Sequence, residues 1–151
     1  MEQRMKNPAM IVPGALQALQ TLGATVRTSG LPASTLYLVE ARASQINGCS
    51  VCLDMHSREL KAAGEPDERI FMIGAWRESP YFSDAERAAL EYAEALTRAS
   101  DTTVKQAFQQ YHDNLATHFD EAGMLEIVGV VATMNVWTRL KLAQGAMPVL
   151  G

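Results

Sequence analysis

The chain has 151 residues, about the length of one ordinary domain, so we expect a single domain over residues 1–151. Hydrophobic residues make up 48% of it and charged residues 20%, a composition that excludes a disordered or fibrous chain. Its 17 acidic and 13 basic residues give a net charge of −4, which removes the electrostatic basis for binding a phosphate backbone. We therefore expect no nucleic acid partner.

No segment has the pattern of a membrane helix or a secretory signal. The longest stretch without a charge, from Asn7 to Val26, contains two prolines and two glutamines, and Glu2 lies among the first residues. We therefore expect no membrane partner and a cytoplasmic location.

Apolar residues recur every three or four positions along most of the chain, which is the period of an amphipathic α-helix. No segment alternates with the period of a strand, so the pattern predicts an all-α fold with about six to seven helices. After a lead-in over residues 1–13, the predicted helices cover residues 14–27, 34–46, 49–63, 66–75, 83–97, 104–118 and 120–143.

Local signals indicate where several of these helices begin and end. Ser34 is a candidate cap for the second helix, and Asn47 followed by Gly48 indicates its end. Ser83 and Glu86 have the spacing of a capping box at the start of the fifth helix.

The last predicted helix is apolar on nearly every side between residues 127 and 136, which indicates burial on several sides. Glu126 precedes this apolar centre. We expect it to pair with Arg139 or Lys141 of a neighbouring element rather than to lie in a site.

The two cysteines, Cys49 and Cys52, lie three positions apart and are the only ones in the chain. A disulfide between them closes too small a loop to stabilise the fold much, so the spacing indicates redox chemistry or metal binding. His56 follows four residues after Cys52, which places all three side chains on one stripe of a helix. The helix N-terminus and the imidazole both favour thiolate over thiol.

Two other interpretations of these residues remain open from the spacing alone. The cysteines could be buried structural thiols without chemistry. A zinc site is the other alternative, because Cys49, Cys52 and His56 are ligands of suitable kinds, although a closed structural site needs a fourth ligand and no second CxxC occurs.

The chain resembles the AhpD-like alkylhydroperoxidases of the carboxymuconolactone decarboxylase superfamily. The resemblance extends over roughly residues 30 to 140. The segments that carry it are Gly30-Leu31-Pro32, Arg42-Ala43-Ser44-Gln45-Ile46-Asn47-Gly48-Cys49, Leu53-Asp54-Met55-His56, Ser83-Asp84-Ala85-Glu86-Arg87-Ala88-Ala89-Leu90 and Asn135-Val136-Trp137.

This resemblance implies an AhpD-like helical bundle that assembles as a trimer or hexamer. It also implies a peroxidase in which Cys52 attacks a hydroperoxide, Cys49 resolves the sulfenic acid as a disulfide and His56 relays the proton. The implied enzyme needs no haem, flavin or metal, so we expect no cofactor. An external dithiol reductant, such as a dihydrolipoyl carrier protein, must regenerate the thiols.

One position departs from the family pattern. Family members with peroxidase activity carry a glutamate twelve residues before the first cysteine, and this position is Tyr37 here. A phenol with a reference pKa of about 10 is a poor base near neutral pH. Glu40 lies one helical turn further on, so we expect its carboxylate to reach the same pocket and replace the missing group.

Three alternative functions use the same residues or the same family. A general thiol-disulfide oxidoreductase would use the CxxC without a preference for peroxide, and a non-enzymatic redox sensor would oxidise once without rapid cycling. The decarboxylase branch of the superfamily is disfavoured, because that chemistry does not need a redox dithiol.

Overall fold

The computed structural model describes residues 3–149, and within this range the secondary structure consists of helices without a strand. The predicted all-α class is therefore confirmed. The helices are α1 (Pro8–Ile11), α2 (Ala15–Thr25), α3 (Ala33–Asn47), α4 (Ser50–Ala62), α5 (Asp67–Met72), α6 (Asp84–Thr97), α7 (Thr102–Ala116) and α8 (Glu121–Gln144), and a 3-10 turn at Ile73–Ala75 follows α5. Helices α2 to α8 correspond to the seven predicted ones.

Helix α1 lies in the segment that was predicted to be an irregular lead-in. The Asn7 side chain accepts a hydrogen bond from the Ala9 backbone N–H, and Pro8 occupies the first helical position, where a missing N–H costs nothing. A helix of four residues is too short to show a period, so hydrophobic spacing could not reveal it.

The capping box at the start of α6 is confirmed, since Ser83 and Glu86 exchange side-chain and backbone hydrogen bonds. The predicted cap at Ser34 is wrong. Helix α3 begins earlier, because the backbone N–H groups of Thr35 and Leu36 both donate to the Pro32 carbonyl and no side chain caps this end.

Helix α3 lies at the centre of the molecule and packs against α4, α6 and α8. Its side chains contribute to three hydrophobic clusters, and Leu38, Val39 and Ala41 are at most 1% exposed. The apolar centre of α8 is buried in part as predicted, since Ile127 is fully enclosed whereas Val136 is 39% exposed. The candidate site residues of α3 are therefore held by a helix that is largely enclosed by the rest of the bundle.

The loop between α2 and α3 is fixed to α8 by Glu126. Both the backbone N–H of Ser29, at 2.9 Å, and the Ser29 hydroxyl donate to the Glu126 carboxylate. The expectation that Glu126 pairs with Arg139 or Lys141 is therefore wrong. Gly129, one turn further along α8, lets Val26 approach so closely that a Cβ atom at this position would lie 2.6 Å from the valine side chain.

Within residues 3–149, no helix has the length and apolarity that crossing a membrane requires.

Candidate active site

The turn between α3 and α4 places the cysteines at the start of α4. Gly48 adopts a left-handed conformation with φ of 67°, which other residues rarely adopt. Its N–H donates to the Gln45 carbonyl at 3.2 Å and the Cys49 N–H donates to the Ser44 carbonyl at 3.0 Å, which is the Schellman pattern of a helix end. The chain therefore reverses at once, and Cys49 becomes the N-cap of α4.

Cys49 and Cys52 are joined by a disulfide, with their Cα atoms 5.3 Å apart. Both are buried, at 3% and 2% exposure, in a small cluster with Ala43 and Met134, against which Trp137 packs. The two sulfurs are therefore close enough to cycle between dithiol and disulfide, in an environment that largely excludes water.

The sulfur atoms lie at the positive end of the α4 dipole. The backbone N–H of Cys52 points at the Cys49 sulfur at 3.4 Å, so an anionic sulfur there would accept this hydrogen bond. The Cys52 sulfur lies 3.9 Å from the hydroxyl oxygen of Thr138 on α8, which is 1% exposed. Thr138 was not predicted as a site residue, and its separation of 86 residues from Cys52 explains why.

His56 lies one helical turn after Cys52 and is 2% exposed. Its Nδ1 atom lies 2.7 Å from a carboxylate oxygen of Glu59 and 3.6 Å from one of Glu40. Its Nε2 atom is buried and has no hydrogen-bond partner within residues 3–149. One ring nitrogen therefore faces carboxylates, and the other is free for a proton donor.

Glu40 projects from α3 into this pocket, so the structure brings it to His56 as expected. Its carboxylate is buried, and the Arg27 guanidinium donates a hydrogen bond to it. Burial raises the pKa of Glu40, and the opposing effects of His56 and Arg27 offset this only in part. Glu40 thus holds a proton to higher pH than an exposed glutamate does.

Tyr37 is half-buried, and its ring contacts the Arg27 side chain. The Arg27 guanidinium stands over its ring, 5.9 Å from the centroid, in cation–π geometry. The phenol therefore contacts the site through Arg27.

Arg27 and Glu59 were missed as site residues. Glu59 is three residues from His56 on the same helix, a spacing that brings side chains together, so a systematic search for carboxylates near the histidine would have found it. Arg27 arrives from the loop before α3, whose path depends on the distant contact of Ser29 with Glu126. No sequence pattern signals that contact.

Glu40, His56 and Glu59 also have the composition of a metal-binding group, with potential ligand atoms that lie within 4.8 Å of one another. Glu40 already pairs with Arg27, and Glu59 already pairs with His56. The cysteines do not belong to this group, which differs from the zinc alternative of Cys49, Cys52 and His56.

Comparison with known proteins shows the family to which the chain belongs. The model of the carboxymuconolactone decarboxylase family matches residues 13–95, which include both cysteines and His56. An uncharacterised Bacillus subtilis protein, YdfG, is 31% identical over 89% of this chain and 90% of its own length. An uncharacterised Escherichia coli protein, YnjA, is 35% identical over 70% of this chain, and the match spans 56% of that protein.

Solved structures share the fold. A protein of unknown function from Agrobacterium tumefaciens, described as a candidate AhpD antioxidant defence protein, superposes with a TM-score of 0.90 at 30% identity, over 99% of this chain and 100% of that one. A debrominase has the same fold, with a TM-score of 0.79 at 20% identity over 91% of this chain and 72% of its own. The chain belongs to the carboxymuconolactone decarboxylase family and has an AhpD-like fold.

Proposed function

We propose that the protein is a thiol-dependent peroxidase that reduces hydrogen peroxide or small organic hydroperoxides. The observation that carries this proposal is the cysteine pair at the start of α4, followed after one turn by a buried histidine that faces two carboxylates. This combination provides a nucleophile, a resolving thiol and a base in a protected pocket.

The first step forms the thiolate of Cys52. The N-terminal N–H groups of α4 favour a negative charge on the sulfur, and His56 accepts the thiol proton through a bridging water. Glu40, 3.6 Å from Nδ1, lies at the far end of this relay and takes the role of the family glutamate whose position Tyr37 occupies.

The second step transfers two electrons from sulfur to the peroxide. The Cys52 thiolate attacks the terminal oxygen, so that an S–O bond forms and the O–O bond breaks. The departing alkoxide takes the proton from His56 and leaves as an alcohol, or as water when the substrate is hydrogen peroxide. Cys49 then displaces hydroxide from the sulfenic acid, and a disulfide and water result.

The burial of the disulfide limits what can reduce it. Both cysteines are at most 3% exposed, so a flat protein surface has poor access to them, and a reductant with a thin dithiol arm suits the site better. A dihydrolipoyl carrier protein fits this requirement. The cycle uses only thiols and a base, so we propose that it needs no bound cofactor.

The same burial weighs against a general thiol-disulfide oxidoreductase, which must admit folded protein disulfides. A redox sensor differs from a peroxidase by its slow return to the dithiol state, so turnover separates the two. The dependence on a thiol reductant supports a location in the reducing cytoplasm.

A single-turnover reaction tests the proposal. Reduced protein is mixed with one equivalent of cumene hydroperoxide, and peroxide loss and free thiols are followed together. We expect oxidation of the wild-type protein about a hundredfold or more faster than that of free cysteine, because the histidine acts as a base.

Two variants divide the reaction into its steps. Cys52→Ser should abolish the fast phase, whereas Cys49→Ser should still consume peroxide but form no intramolecular disulfide. Oxidation of the wild-type protein at the rate of a free thiol would contradict the peroxidase and favour disulfide exchange or sensing.

A further inference from the structure

His56 contacts two carboxylates through the same nitrogen, and the two contacts differ. The Nδ1 atom is at hydrogen-bond distance from Glu59, 2.7 Å, but 3.6 Å from Glu40, which is beyond the usual range. The charged groups around the ring come from three elements, with Glu40 on α3, Glu59 on α4 and Arg27 on the loop before α3. Glu59 is thus the direct partner of the ring.

The hydrogen bond with Glu59 determines where the ring carries its proton. An ionised carboxylate only accepts hydrogen bonds, so the neutral imidazole must carry its hydrogen on Nδ1 to make this contact. The lone pair then lies on Nε2, which is buried and without a partner within the described residues. This tautomer is the one in which Nε2 can accept a proton.

Glu40 and Glu59 are placed for different tasks. The Glu40 side chain is 7% exposed, and its carboxylate accepts a hydrogen bond from Arg27 rather than from His56. The Glu59 side chain is 38% exposed, so water solvates its charge while one oxygen faces the ring. Glu59 can therefore orient the ring without the desolvation that burdens Glu40.

We propose that Glu59 is the positioning residue that holds His56 as the Nδ1–H tautomer and stabilises its protonated form. When Cys52 is deprotonated, its S–H bond breaks, a bridging water takes that proton and passes one of its own to Nε2, and a thiolate and an imidazolium result without electron transfer. Glu59 accepts the Nδ1 hydrogen bond throughout, as the aspartate of a serine protease triad does. This inference rests on the proposed peroxidase function only in one respect, namely that the proton taken up by His56 later passes to the departing alkoxide.

Nitrogen NMR of the oxidised protein tests the tautomer without any enzymatic reaction. Variants His112→Gln and His118→Gln, combined, leave His56 as the only histidine and assign its signals. At mildly alkaline pH, long-range proton–nitrogen correlations should show a protonated Nδ1 and an unprotonated Nε2 in the wild-type ring. Glu59→Gln should shift the population towards Nε2–H, because an amide can also donate to Nδ1.

Asp54→Asn is the matched control, since it removes one carboxylate from the same helix at a position that pairs with the exposed Arg58 instead of His56. It should leave the His56 spectrum unchanged. A wild-type ring protonated on Nε2, or a spectrum that Glu59→Gln does not alter, would overturn the inference.

Thiol reactivity provides the second readout. The rate at which iodoacetamide alkylates Cys52 in the reduced protein should fall roughly tenfold or more in Glu59→Gln near neutral pH, and Glu59→Asp should recover part of it. An equal rate in Glu59→Gln and the wild type would contradict a role in reactivity. If the wild type reacts slowly with peroxide, the proposed function fails, whereas the NMR and alkylation results still decide the role of Glu59.

Discussion

Tyr37 occupies the position at which peroxidases of this family carry a glutamate, yet its ring faces Arg27. Its contribution is therefore a cation–π contact that positions the guanidinium against Glu40. A phenylalanine ring keeps this contact and lacks only the hydroxyl.

We expect Tyr37→Phe to oxidise with peroxide within about twofold of the wild-type rate, because the aromatic face is retained. Tyr37→Leu, which removes the aromatic face, should react more slowly. Stopped-flow measurement of peroxide consumption checks both. A large loss of rate in Tyr37→Phe would show that the hydroxyl takes part in proton transfer.

The burial of Glu40 makes the stability of the protein depend on pH in a definite direction. Because burial raises the pKa of Glu40 above its unfolded value, the folded protein binds this proton more tightly than the unfolded chain does. Protonation of Glu40 therefore stabilises the folded protein below the raised pKa. This stabilisation is lost as the pH rises through that pKa.

Glu40→Gln removes this titration. From about pH 4, near which an ordinary glutamate ionises, up through the raised pKa of Glu40, the wild-type protein should lose stability relative to the variant as the pH rises. Urea denaturation of both proteins at several pH values measures this difference. Parallel stability curves would show that Glu40 titrates as an ordinary exposed carboxylate.

At the scale of the helix, the reversal at Gly48 decides where the sulfurs lie. A Cβ atom at Gly48 meets nothing within 4 Å, so a substitution there strains only the left-handed backbone. Gly64, just after α4, has a φ of 89° and equally open surroundings, but it lies at the far end of the helix from the cysteines.

We expect Gly48→Ala and Gly64→Ala to lower the free energy of unfolding by similar amounts, about 1 kcal/mol. Only Gly48→Ala should also slow the oxidation of the cysteines, because it disturbs the turn before Cys49. Chemical denaturation and the single-turnover peroxide reaction measure the two effects. Equal oxidation rates in the two variants would contradict a role for this turn in placing the sulfurs.

The helices that sequence analysis located best are those with a long hydrophobic period or a local start signal. The capping box of Ser83 and Glu86 is an interaction between neighbours, so the sequence contains all of it. Helix α3 begins before Ser34, because the Pro32 carbonyl accepts the first hydrogen bonds of the helix. The preference for serine as a cap cannot show which of two nearby residues begins the helix.

The candidate site likewise contains residues that the sequence predicts and a contact that it does not. Spacing alone placed Cys49, Cys52 and His56 on one helix face, whereas Glu40 was proposed from its distance of one turn to the glutamate position that the resemblance implies. The contact of Thr138 with Cys52 joins α8 to α4, and it follows only from how the bundle packs.

At the scale of the whole molecule, several large apolar side chains remain on the surface. Leu125 on α8 is 68% exposed and Phe71 on α5 is 78% exposed. The trimer or hexamer that the family resemblance implies would bury part of the surface, and these two side chains are candidates for its interface.

Light scattering at micromolar concentration should therefore give the mass of three or six chains of 16.5 kDa. Replacement of Phe71 or Leu125 by serine should shift the mass downwards if that side chain lies in the interface. A wild-type mass of one chain would contradict the assembly.

The central claim is that Cys52 is the sulfur that attacks the peroxide, and trapping of its sulfenic acid tests it most directly. Reduced Cys49→Ser protein is treated with one equivalent of cumene hydroperoxide in the presence of dimedone, and the peptide that carries Cys52 is analysed by mass spectrometry. We predict a dimedone adduct on Cys52 that forms within the single-turnover time and is absent from Cys52→Ser. A Cys52 that stays unmodified while Cys49 in the Cys52→Ser protein acquires the adduct would contradict the account.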